Sequence, residues 1–67
     1  VNATLATYNY RALREAGISP ERAYLEADTW AVHDIEVHGH QFRDGKLIIR
    51  LCSTREGAEP YEKEFHL

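Results

Sequence analysis

Apolar residues recur at intervals of three and four along the first part of the chain. Leu5, Tyr8, Ala12, Leu13 and Ala16 fall on one side of a helix running from about Thr4 to Ala16. Gly17 is placed to stop it, because glycine just past the last turn takes the left-handed conformation without steric cost. Ile18 would then touch Leu13, the contact that accompanies a Schellman ending. A second helix follows at once: Ser19 suits the N-cap, Pro20 the first helical position, and Glu21 the positive end of the dipole. Ala23, Tyr24, Ala27, Trp30 and Ala31 continue as an apolar stripe, with Glu26 and Asp28 pointing elsewhere. No residue marks where this helix ends.

After about His33 the period shortens to two. Ile35 and Val37 alternate with Asp34, Glu36 and His38, and Asp44-Gly45 separates Phe42 from the apolar run Leu47 to Leu51, a strong hairpin signature. Arg55 to Pro60 reads as a loop, after which Tyr61, Lys63, Phe65 and Leu67 alternate with Glu62, Glu64 and His66 as a third strand. The expected architecture is α+β: a helical hairpin of two short helices followed by a three-stranded antiparallel β-meander, forming a single domain over residues 1–67.

Register decides what the sheet leaves exposed. With Arg43 opposite Lys46, Phe42 faces Leu47 and His40 faces Ile49, all on one side. If pairing runs on unbroken, His38 faces Leu51, and Ile35 and Val37 join Ile48 and Cys52 on the other side. Two helices cover one side only, so those four residues would form an apolar face for a second copy of the chain. A bulge at Gly39 would instead move Ile35 and Val37 to the side of Leu47, Ile49 and Leu51, giving a one-sided core. Both registers are open. Strands beginning near Asp34 and Tyr61 are expected at the sheet edges, where an unpaired backbone can add to a partner's sheet.

Composition narrows the function. A chain of 67 residues hides only about 60% of its unfolded surface on folding, so its core is thin and its walls too few to surround a typical ligand pocket. A hydrophobic fraction of 43% and a charged fraction of 28% are globular values. No apolar run approaches the ~20 residues of a membrane span, and Val1 to Ala12 lacks the pattern of a signal peptide. With Cys52 as the lone cysteine, no internal disulfide is available, which suits a reducing compartment and a cytoplasmic location. The net charge of -3 argues against direct nucleic-acid binding, which draws on a basic surface. Tyr8, Tyr10, Arg11 and Arg14 would offer stacking groups to single strands, but they serve equally as a helix contact and solvated charges.

The acids are uneven. Glu26, Asp28, Asp34 and Glu36 flank the middle of the chain, and Glu56, Glu59, Glu62 and Glu64 crowd its end. They read either as a solvated face or as a surface that steers a basic partner, with Tyr61 as an aromatic anchor. The metal reading is thinner. His38 and His40 share a strand face, and His33, His66 and Cys52 would be further ligands, yet the closely spaced Cys and His pairs of a structural zinc site are missing. Phosphate-cradling glycine loops, nucleophile elbows and H-E-x-x-H are also missing. Cys52-Ser53 has no activating base beside it, so Cys52 reads as a small core residue rather than a nucleophile. No catalytic residue, cofactor or metal is expected.

The stretch Tyr10-Arg11-Ala12-Leu13-Arg14-Glu15-Ala16-Gly17-Ile18-Ser19-Pro20-Glu21-Arg22-Ala23 resembles helical corners in short accessory proteins of phages and mobile elements of high-GC bacteria. Size, acidic balance and lack of site chemistry are similar to those of small phage anti-CRISPR proteins. That resemblance implies a stoichiometric inhibitor occupying a working surface of a bacterial defence complex, such as a CRISPR effector, inside the host cytoplasm; it assigns no residue a role. The expected function is therefore a non-enzymatic, protein-binding inhibitor that meets one basic partner through Glu56, Glu59, Tyr61, Glu62 and Glu64. The alternatives are a homodimeric module joined through Ile35, Val37, Ile48 and Cys52, and a small zinc-stabilised domain.

Overall fold

A computed structural model describes residues 2–66. Helix α1 (Ala3–Glu15) and helix α2 (Pro20–Val32) precede strands β1 (Ile35–Arg43), β2 (Lys46–Ser53) and β3 (Tyr61–Phe65), which form one antiparallel sheet in the order β1-β2-β3. The expected α+β meander is what the chain forms.

Each boundary has a local cause. The Asn2 side chain accepts from the Leu5 N–H at 3.0 Å and caps α1. At its other end the Ile18 N–H donates to the Leu13 carbonyl at 3.1 Å and the Gly17 N–H to the Arg14 carbonyl at 3.0 Å, the Schellman pair, with Gly17 at φ 99°. Leu13 and Ile18 are both fully buried. Ser19 sits at the N-cap of α2, but its hydroxyl makes no capping bond, and Pro20 begins the helix. Asp34 ends it. At φ 56° this residue is left-handed, a conformation that Asp tolerates better than most side chains, and its N–H donates to the Ala31 carbonyl at 3.1 Å.

The sheet takes the bulged register. Val37 lies opposite Leu51 and Gly39 opposite Arg50, which leaves His38 as the extra residue. Val37 therefore shares the helix side of the sheet with Leu47, Ile49 and Leu51, and Phe65 joins them from β3. Ile35 packs against the same core. From α2, Ala23, Ala27 and Trp30 close over it; from α1 and the corner come Leu13, Ala16 and Ile18. Trp30 and Phe65 meet edge to face at 5.9 Å, and Lys63 Nζ lies 5.5 Å from the Phe65 centroid while pairing with Glu26.

The bulge undoes the self-association face. Ile35 and Val37 turn toward the helices while Ile48 and Cys52 stay on the opposite side, so the four do not share a surface. Ile48 and Cys52 are also buried. By register Ile48 sits midway along the diagonal that Arg43 spans to reach Glu62, so this ion pair straps over it. Cys52 lies under the β2–β3 loop and its Sγ donates to the Ala58 carbonyl at 3.6 Å.

One buried polar side chain ties helix to sheet. Asn9 on α1 is fully buried, accepts from the Val37 N–H at 2.9 Å and donates through Nδ2 to the Ile35 carbonyl at 2.8 Å. An edge strand presents these groups unpaired; here one amide fills both, as a neighbouring strand would.

Candidate functional site: the outward face of the helical hairpin

The C-terminal glutamates do not assemble into an acidic surface. Glu62 and Glu64 lie on the sheet side away from the helices, opposite Arg50 and Ile48. Both are engaged: the Arg43 guanidinium meets Glu62 at 3.3 Å and Lys46 Nζ meets Glu64 at 3.5 Å, with His66 beyond at 3.8 Å. With Arg43, Lys46 and Arg50 interspersed, this face is close to charge-balanced. Tyr61 pairs with Leu51 and so lies on the helix side, away from Glu62 and Glu64. Glu56 and Glu59 are exposed in the β2–β3 loop. The five candidates thus divide among three places.

The histidines are likewise apart in role. His38 meets Glu36 at 3.0 Å and His40 packs edge to face on Phe42 at 6.0 Å. Among the described residues no three His, Cys, Asp or Glu side chains converge into a group that could hold a metal ion. No helix among them is long and apolar enough to cross a membrane.

The unpartnered surface lies on the helices. Two tyrosines expected on the apolar stripes, Tyr8 and Tyr24, point outward instead. On α2 the buried positions are Ala23, Ala27, Trp30 and Ala31, a stripe narrow enough to leave Tyr24 outside it. Glu21, Tyr24, Leu25, Asp28 and Val32 then recur at helical spacing along the outward side of α2. Tyr24 is 64% exposed, Leu25 65% and Val32 53%, which is unusual for three large apolar side chains on one helix.

Charge on this face is one-sided. Glu21 and Asp28 form no ion pair among the described residues, whereas Glu26, Glu36, Glu62 and Glu64 each do. The single basic residue of α2 is turned away: Arg22 lies 4.7 Å over the Phe65 ring and donates to the His66 carbonyl. Between the helices runs a groove of about 210 Å³, lined by Ala6, Thr7 and Tyr10 of α1 and by Tyr24, Ala27 and Asp28 of α2. Ala6 and Ala27 let the helices approach, and each helix contributes one tyrosine to the lining. A shallower hollow lined by Tyr8 and Arg11 adjoins it through Thr7.

No family model matches this sequence, and no curated protein or solved structure is detectably similar to it. Function must be argued from this surface. Sequence reasoning passes over it because the apolar stripe of α2 includes Tyr24 and has Asp28 pointing elsewhere, so the two are not read as one surface. The signal was present in the three-and-four spacing of Glu21, Leu25, Asp28 and Val32, which selects a second side of the same helix.

Proposed function

We propose that this chain is a non-enzymatic binding domain that docks onto one protein partner through the outward side of α2 and the adjoining groove. The observation that carries the reading is the alignment of exposed Tyr24, Leu25 and Val32 with Glu21 and Asp28, neither of which forms an ion pair among the described residues. Apolar anchors interleaved with acids complement a partner surface that offers an apolar slot bordered by lysine or arginine. Burial of the anchors supplies affinity, and the acids steer the encounter and reject partners of like charge.

A basic, slotted surface is characteristic of proteins that hold nucleic acid, and the net charge of -3 favours approach to one. The biological role proposed is therefore occlusion. The domain would occupy a nucleic-acid-binding surface of a bacterial defence complex, in the manner of an anti-CRISPR inhibitor, in the host cytoplasm. Charged residues at the C-terminal end contribute less, because Glu62 and Glu64 are already engaged by Arg43 and Lys46.

Affinity capture from a bacterial host lysate tests this, comparing the wild-type chain with Leu25→Asp and with Glu62→Lys. The expected result is one stoichiometric partner, released by nucleic acid, lost with Leu25→Asp and retained with Glu62→Lys. A partner kept by Leu25→Asp and lost with Glu62→Lys would move the docking surface to the sheet.

A further inference from the structure

The groove between the helices has a chemistry narrower than a general apolar contact. We infer that it receives one guanidinium group, the side chain of an arginine on the protein partner, and this inference rests on the docking reading above. At about 210 Å³ the groove has room for a single side chain.

Its walls define the occupant. Tyr10 on α1 and Tyr24 on α2 both line the groove, and aromatic faces attract cations, guanidinium most of all because its plane stacks on the ring. Asp28 lies one turn beyond Tyr24 on the same helix, so a guanidinium over the Tyr24 ring is within reach of the Asp28 carboxylate. A planar fork can stack and donate two hydrogen bonds at once, which an ammonium cannot do. Ala6 and Ala27 leave the groove floor apolar, suited to the methylene stem of an arginine.

The chain does not fill the site itself. Arg11, the nearest arginine along α1, lines the neighbouring hollow and forms no ion pair with Asp28. Arg14 donates to the Ile18 carbonyl at 2.9 Å and Arg22 is held at Phe65, so both are committed elsewhere. Asp28 is thus an acid beside two aromatic rings with no basic partner among the described residues.

The test is a titration of the isotopically labelled chain with N-acetyl-arginine amide, followed by amide shifts in two-dimensional NMR. N-acetyl-citrulline amide, the neutral isostere, and N-acetyl-lysine amide (acetylated on the α-nitrogen only) serve as controls. Saturable shifts confined to Thr7, Tyr10, Tyr24 and Asp28 are expected with arginine. Affinity should fall about tenfold with Asp28→Asn and with Tyr24→Ala, and by a similar factor for citrulline. Shifts spread equally over Glu56 and Glu59, equal binding of lysine, or unchanged affinity in Asp28→Asn would each overturn the assignment. Lysate capture separates this inference from the docking reading. A partner captured equally by wild type and Asp28→Asn but lost with Leu25→Asp removes the arginine site and leaves the docking face standing. Arginine shifts without any captured partner would do the reverse.

Discussion

The two halves of β1 belong to one strand and have opposite fates. Over Ile35 to Val37 the strand is enclosed: Asn9 fills its outer hydrogen-bonding edge and the core packs against its helix side. Beyond the bulge, antiparallel alternation turns the His40 and Phe42 N–H and C=O groups to the outer edge, where no side chain of the described residues bonds to them. Phe42 and Leu47 are direct partners on the same side of the sheet, yet Phe42 is 60% exposed and Leu47 is 1% exposed. Hydrophobicity and alternation place both residues on the helix side; what lies over each one decides its burial. The edge of a sheet is closed only as far as another element reaches.

The sharpest way to break this contrast is Val37→Asp, which puts a carboxylate into the core of the enclosed half, where Val37 is 1% exposed opposite Leu51. The change forfeits roughly 1.5–3 kcal/mol of apolar burial and adds the cost of burying a polar group, and a domain of this size holds only a few kcal/mol in total. Loss of the cooperative thermal transition in circular dichroism is expected; a wild-type melt would mean that the enclosed half does not carry the core.

A smaller effect is expected from Asn9→Leu, which keeps apolar volume but orphans the Val37 N–H and the Ile35 carbonyl. Each buried group left without a partner costs roughly 1–3 kcal/mol, read as a lower urea midpoint at unchanged slope. A midpoint within error of wild type would show that the two halves of the edge are equivalent.

Smallest of all is Phe42→Ala in the open half. An exposed side chain away from packing contributes within about 0.5 kcal/mol, so the urea midpoint should barely move. Hydrogen exchange on the wild-type chain sharpens the point. The His40 and Phe42 amides should exchange well before that of Val37, and comparable protection along all of β1 would contradict an open edge.

Much of this architecture was legible locally. Gly17 between Ala16 and Ile18, Pro20 after Ser19, and Asp44-Gly45 between apolar runs each encode a turn within a few residues, and the structure places a turn at each. The end of α2 was not, since Asp34 adopts the left-handed conformation more commonly marked by glycine. Gly39 narrowed the register to two choices, and only packing of Val37 against the helices distinguishes them. The missed residues share a physical cause: their partners are distant in sequence. Nothing near Asn9 announces that it will bond to Ile35 and Val37. Local charge counting gives Glu62 and Glu64 as a patch because Arg43 on β1 and Lys46 on β2 come beside them only when the sheet assembles. Tyr24 was misplaced because stripe patterns fix a direction around the helix, and its width depends on how closely the alanines bring α1 and α2 together.

Asn9 also bears on the order of events in folding. Its two bonds span 26 and 28 residues, whereas the Gly17 corner and the Asp44-Gly45 hairpin join segments adjacent in the chain. Closing a long loop costs more entropy than closing a short one, so contacts of this kind form after local ones. Helix α1, although it precedes the hairpin in the chain, is locked only once β1 has taken its bulged register. A slipped register would displace the Val37 N–H and Ile35 carbonyl that Asn9 must find, leaving α1 undocked. The amide therefore acts as a proofreader: it rewards the correct pairing of strands it does not belong to.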